Sequence, residues 1–393
     1  MEALTAILIC AIAYAIGDIV SHKTKATMPM LFVSGFILLI GFWTILPATL
    51  LEDTGLFAIS VILAPVFVIH TGTLLNFREM ISEYRTVIIS LTAVLTIAGL
   101  LYFFGAPLIG EQFAIAAAGP ISGGLVAVLI IQDAATAAGL EQIAVFVTVL
   151  FVLQLFVGLP IAALCLTIDA KRRLENYRSG HPTHSNRSTK LGEAKHRSLR
   201  VFPELPEQYK TPFILLCKVL VVAWLAVWVS DLLNATINKF IVALFFGVIF
   251  RELGFLEERI LDLAKASGFV LFALFILVYW YLPKATPDVI AGLIWPVAGA
   301  FSIALAAIAL ISALMARLFD YSWYLCVAIG ISCFFGFPGT YIVPQEVANV
   351  QSNTEGENEM LVNYYLPKML VAGFTSVSVA SVLIAGFMAK LLM

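Results

Sequence analysis

Charge is scarce in this sequence. Only 12% of its 393 residues are Asp, Glu, Lys or Arg, against about 25% in a soluble globular domain. That shortage excludes a soluble fold. The net charge of −2 is uninformative by itself, since what matters is where the charges lie, and no nucleic-acid partner is expected. Five cysteines, Cys10, Cys165, Cys217, Cys326 and Cys333, lie in or beside apolar runs. They lack metal-ligand spacing and read as small buried hydrophobes, which excludes a disulfide framework or a zinc site. There is no phosphate-binding loop, nucleotide motif or nucleophile constellation. ATP-driven transport, an enzyme and a bound cofactor are therefore not expected. The first apolar stretch lacks a basic leading segment, so it reads as a transmembrane helix and not as a cleaved signal.

What is present is hydrophobic: 61% of residues are apolar and the mean hydropathy is +0.99. At about 20 apolar residues per span, the sequence predicts spans over 4–20, 28–46, 55–75, 86–104 and 143–168. A second series follows over 212–233, 239–250, 267–282, 289–314 and 364–391. Each series contains one interrupted stretch. The first, AAAGPISGGLVAVLIIQDAATAAGLE (116–141), has Gly119, Pro120, Gly123 and Gly124 followed by Gln132 and Asp133. The second, FFGFPGTYIVPQEVANVQSNTEG (334–356), has Gly336, Pro338 and Gly339 followed by Gln345, Glu346, Asn349 and Gln351. Lipid offers no hydrogen-bond partners, so a broken helix is tolerated only inside protein or beside a wet cavity. Paired interruptions in two halves are the pattern of a secondary transporter's binding site.

Lysine and arginine placement sets the orientation. Ten lie between 169 and 211: Lys171, Arg172, Arg173, Arg178, Arg187, Lys190, Lys195, Arg197, Arg200 and Lys210. With this linker in the cytoplasm, alternation puts both termini outside, provided each interrupted stretch is a re-entrant hairpin. Five spans per half then invert the second half relative to the first. The expected organisation is an all-α polytopic membrane protein: inverted repeat 1–168 (hairpin about 112–141), linker 169–211, and inverted repeat 212–393 (hairpin about 321–356). Asp18 and Asp231 end equivalent spans, where a water-facing helix end explains each. The linker is too short of apolar residues to bury a core; its basic stretch suits anionic lipid, while His181, His184 and His196 lack a metal-binding frame.

Hairpin tips bring helix ends together, where free N–H groups favour anions and free carbonyls favour small cations. Ser122, Gly123, Gly124, Thr340, Gln345, Asn349 and Gln351 are the candidate substrate-binding residues of the hairpins. Sodium is expected near Ser122, Thr340 and Asn349, and Asp133 and Glu346 are the candidate coupling-ion carboxylates. The simpler alternative is that the glycines only permit close helix packing and that Asp133 sits at the outer mouth in water. Thr71, Thr73 and Asn76 follow His70 at the end of the third span, where a fraying helix offers hydroxyls and carbonyls. His70 itself reads as a hydrogen-bonded structural residue. Tyr279, Trp280 and Tyr281 read as an interfacial aromatic belt.

Three stretches, IHTGTLLNFREMISEYR (69–85), PISGG (120–124) and PQEVANVQSNT (344–354), resemble the bacterial glutamate:sodium symporters in order and spacing. More distantly the chain is similar to the citrate and 2-hydroxycarboxylate symporters. The resemblance implies a homodimer in the bacterial inner membrane, with a hairpin-bearing core that moves as an elevator. It also implies sodium- or proton-coupled symport of a small organic acid or amino acid. There are departures. Ser122-Gly123-Gly124 runs into Leu125-Val126-Ala127, Gln345 and Glu346 stand where the family has small residues, and no arginine lies in either hairpin or the final span. Two acids without an arginine suit a zwitterion, a monocarboxylate with coupling cations, or a cation. A cation/proton antiporter is therefore the alternative, and a non-transporting scaffold or receptor a third possibility.

Overall fold

A computed structural model describes residues 1–74, 83–179, 201–203, 205–232, 239–376 and 380–392. The described chain is all-helical. The first half carries α1 (Ala3–Lys23), α2 (Met30–Thr44), α3 (Phe57–Thr73), α4 (Tyr84–Phe104), α5 (Glu111–Ser122), α6 (Gly124–Ala137) and α7 (Glu141–Arg178). The second carries α8 (Pro212–Leu232), α9 (Lys239–Glu252), α10 (Ser267–Tyr279), α11 (Pro287–Phe319), α12 (Trp323–Ile331), α13 (Gly336–Gln351), α14 (Glu355–Thr375) and α15 (Ser381–Leu392). Among the described residues six helical stretches are long and apolar enough to cross a membrane, as in a helical membrane protein: α1, α4, α7, α8, α11 and Ser267–Lys284. Nine of the ten expected spans coincide with one helix each. The tenth is described as α14 to Thr375 and α15 from Ser381, with residues 377–379 between them outside the described residues. Most of the linker, 180–200, lies outside the described residues, as do Asn76 and the linker histidines.

The chain packs as two units that cut across its linear halves. The larger comprises Met1–Leu50, Tyr84–Leu174 and Tyr279–Met393, and the smaller Leu51–Glu83 and Glu175–Val278. In the larger unit α1 packs on α2 and α4 on α11, while α5 and α6 form an antiparallel pair that packs against α15. α13 packs along α14, and α12 lies against α11, α4 and α14. α5 and α6 have 12 and 14 residues and α12 only 9. At 1.5 Å per residue none of the three spans the roughly 30 Å of a bilayer core alone.

In the smaller unit α9 packs on α3 and α8. The α3–α9 crossing is made close by glycine on both sides. A Cβ on Gly72 would lie 2.6 Å from the Leu244 carbonyl, and one on Gly247 would lie within 2.4 Å of the Ile69 carbonyl; small residues of this kind let helices approach in membranes. His70, between Ile69 and Gly72, is buried, and its Nδ1 accepts the Leu261 N–H at 3.3 Å. Lys218 and Glu257, both largely buried, pair at 2.5 Å and fasten α8 to the connection after α9.

Candidate functional site

In the larger unit both interrupted stretches meet the same short piece of chain, the C-terminal end of α14. Gly123 turns α5 into α6 with φ of +155°, and a Cβ there would lie 2.5 Å from the Ser376 carbonyl and 2.7 Å from Ser381 Cβ. Only glycine permits so close an approach. Ser122 beside it is buried, and its hydroxyl donates to the Gly119 carbonyl at 2.9 Å.

The second stretch arrives three residues earlier on α14. α12 ends in a turn of 3-10 helix, Ser332–Phe334. The chain then breaks at Gly336 (φ +52°) and Phe337 (ψ 139°) before α13 proceeds. Thr340, fully buried in the first turn after this break, faces Gly373, where an added Cβ would lie 2.7 Å from its Oγ1. That hydroxyl has no hydrogen-bond partner among the described residues. Phe337 stacks on Phe374 with centroids 5.6 Å apart. Gly158 in α7 makes room for Phe334 and Phe335, and the Ser332–Phe334 turn packs on α5.

Gly373, Phe374 and Ser376 thus receive Thr340, Phe337 and Gly123 in turn. The C-terminal end of α5 and the N-terminal ends of α6 and α13 gather here, and helix ends leave backbone N–H and C=O groups without intrahelical partners. The Ser376 hydroxyl reaches back to the Ala372 and Gly373 carbonyls at 2.9 and 3.2 Å. None of α5, α6, α12 and α13 carries a lysine or arginine. These four helices therefore offer positive potential only through their N-termini, and on α14 the nearest base is the buried Lys368, five residues before Gly373. Among the described residues no group of three metal-ligating side chains occurs.

The other sequence-selected residues are spread along the limbs. Asp133 is exposed in the last turn of α6, ten residues and about 15 Å of helix rise beyond Gly123. Gln345 is partly exposed. Asn349 is exposed and accepts from Asn358 at 2.7 Å, nine residues and about 14 Å from Thr340. Gln351 donates to the Lys25 carbonyl at 3.0 Å. Glu346 reaches the corner between α1 and α2: Ser21 Oγ donates to it at 3.1 Å, and the Met30 N–H, free at the start of α2, donates at 3.1 and 3.2 Å. No basic side chain pairs with it among the described residues. Thr71 and Thr73 belong to the smaller unit, buried, with hydroxyls on the Val68 and His70 carbonyls at 2.7 Å.

Two polar centres were not picked out from the sequence. Asp169, taken there as the start of the linker, lies within α7, which continues to Arg178, and is 2% exposed. Its carboxylate accepts from Arg173 Nε (2.6 Å), Tyr365 OH (2.6 Å) and Ser322 Oγ. Arg173 also donates to Tyr364 at 2.6 Å and lies over its ring. The Asp169–Arg173 spacing of i, i+4 was the available signal. Tyr279, read as part of an aromatic belt, is instead buried: its hydroxyl donates to the Leu31 carbonyl at 2.9 Å and sits 2.7 Å from Ser34 Oγ. A buried phenol needs such partners.

No family model and no curated protein matches the chain.

Proposed function

We propose that this chain is a secondary active transporter that couples uptake of a small organic acid or amino acid, such as glutamate, to sodium or protons by alternating access. The observation that carries the reading is the convergence of Gly123 and Thr340 on Gly373–Ser376. Unpaired helix ends there suit a carboxylate at N–H groups and a sodium ion at carbonyls and the free Thr340 hydroxyl. In this reading the two pairs α5–α6 and α12–α13 are re-entrant hairpins of two inverted repeats. The hairpin-bearing core moves as an elevator in a homodimer of the bacterial inner membrane, with both termini outside. Ser122, Gly123, Gly124 and Thr340 contact the substrate, and Glu346 and Asp133 lie on the second limbs as neutralising acids for coupling cations.

A second reading, a cation/proton antiporter, is favoured by one specific observation: among the described residues Glu346 accepts only from neutral donors, and neither hairpin sequence carries a basic residue.

Purified protein in liposomes, given radiolabelled amino acids and small carboxylates under an inward sodium gradient, separates the two. The symporter takes up an organic solute with sodium but not choline. Gly123→Ala and Thr340→Val then cut uptake about tenfold or more, equivalent to ~1.4 kcal/mol of binding. Silence of every organic solute, together with cation-driven proton movement reported by an internal pH dye, overturns the symporter in favour of the antiporter.

A further inference from the structure

Basic side chains from three other helices meet one corner of the larger unit, the connection from α11 into the first turn of α12. Arg85, in the first turn of α4, donates to the Phe319 carbonyl at 3.3 Å. On α14, Lys368 lies 5.9 Å from the Tyr321 ring centroid and 4.2 Å from that of Tyr364. On α7, Arg173 lies over the same Tyr364 ring at 3.6 Å and Arg172 over the Tyr324 ring at 4.8 Å. Lys171 and Arg172 are exposed, as is Arg317 in the last turn of α11. The acids of the corner are already engaged. Asp169 accepts from Arg173, Tyr365 and Ser322, and Asp320 stands beside Arg85. Among the described residues no carboxylate pairs with Lys171, Arg172 or Arg317, and no acceptor meets the N–H donors of Arg172.

An apolar face adjoins these bases. Leu310, Leu314 and Leu318 are exposed at four-residue spacing, so they form one stripe along α11 that runs up to Arg317. Trp323, also exposed, donates its indole N–H to the Ala309 carbonyl at 3.4 Å, which lays the start of α12 against that stripe. Rings with one polar edge collect at the level of lipid headgroups. The corner thus offers N–H donors for a phosphate beside an apolar face for a hydrocarbon chain. A nucleotide or a nucleic-acid backbone would use only the first of these.

We propose that the α11–α12 corner is a binding surface for anionic phospholipid: Lys171, Arg172 and Arg317 take headgroup phosphate, and the Leu310–Leu314–Leu318 stripe takes an acyl chain. Guanidinium forks hold phosphate oxygens two at a time, and basic pockets between membrane helices suit anionic headgroups. A zwitterionic headgroup brings its own cation to the same place and gains less. Arg173 and Lys368 belong to the packing of the corner and are not needed as ligands. The inference rests on the chain crossing a membrane and not on what it transports.

Native mass spectrometry of the full chain released from detergent tests it, with phosphatidylglycerol and phosphatidylcholine of matched chains as probes. The parent chain should retain phosphatidylglycerol in preference to phosphatidylcholine. Arg172→Gln combined with Arg317→Gln should lower phosphatidylglycerol affinity about tenfold or more and leave phosphatidylcholine unchanged. Lys171→Gln should act in the same direction by a smaller factor, and serves if the double variant folds poorly. Arg197→Gln combined with Arg200→Gln removes the same charge from the linker, outside the described residues, and should leave lipid retention as it was. Excess glycerol 3-phosphate, a headgroup without chains, should displace nothing. Equal retention of the two lipids overturns the proposal. So does phosphatidylglycerol binding that survives both corner variants, or that falls as far in the linker variant. Displacement by glycerol 3-phosphate overturns the lipid in favour of a free phosphate ligand.

Discussion

At the scale of single residues, space decides what glycine does in this chain, and two glycines give opposite predictions. Gly123 has the Ser376 carbonyl 2.5 Å from where a Cβ would sit and a φ of +155°. Gly99, in the last third of α4, has nothing within 4 Å. Gly123→Ala should therefore destabilise by about 1–3 kcal/mol through overpacking, whereas Gly99→Ala should stabilise by about 0.5–1 kcal/mol by reducing the freedom of the unfolded chain. Thermal unfolding in detergent should lower the apparent Tm for the first and raise it for the second. A Gly123→Ala variant as stable as the parent would remove the close approach on which the candidate site rests. The sequence marked Gly123 and Thr340 because prolines and polar residues interrupt otherwise apolar runs. It gave no mark to Gly373–Ser376, where they land. VAGFTSVS (371–378) keeps a high hydropathy, and neither proline nor charge falls there.

At the scale of elements, the helices were legible and their fastenings were not. Apolar runs bounded by Pro29, Gly110 and Pro287 set helix starts, and the Thr354–Glu357 spacing is a capping signature that α14 uses. Asp169 was hidden by its neighbours. Lys171, Arg172 and Arg173 follow it, so hydropathy falls at that point and a solvated helix end is the natural reading. Only the packing of Ser322 and Tyr365 onto α7 makes it buried. Removing one partner of a buried ion pair leaves the other charge uncompensated, at about 3–5 kcal/mol. Asp169→Ala should therefore lower stability by about that much, and Tyr365→Phe, which deletes one neutral donor, by about 1 kcal/mol. Chemical or thermal unfolding of the two variants side by side checks the order. If Tyr365→Phe proved as damaging as Asp169→Ala, the carboxylate would not be the centre of this cluster.

At the scale of the whole molecule, hydropathy is one-dimensional and cannot show which helices pack together. The larger unit takes helices from both sides of the linker, and so does the smaller. Direction through the membrane is a separate matter, and it rests on charge: ten basic residues in 169–211 against few in the connections assigned outside. The short lengths of α5 and α6 sharpen this into a test. If the α5–α6 pair returns to its own side, Glu111 at its start and Glu141 just beyond its end share one side of the membrane; if it crosses, they lie on opposite sides. Single cysteines at Glu111, Glu141 and Lys190, in a Cys217→Ser background, can be probed in intact cells with a membrane-impermeant maleimide. Inverted repeats with a cytoplasmic linker require Glu111→Cys and Glu141→Cys to react at once and Lys190→Cys only after permeabilisation. Reaction at Glu111→Cys without Glu141→Cys would make the segment a crossing. The second half would then no longer be inverted relative to the first, and the elevator reading would lose its symmetry.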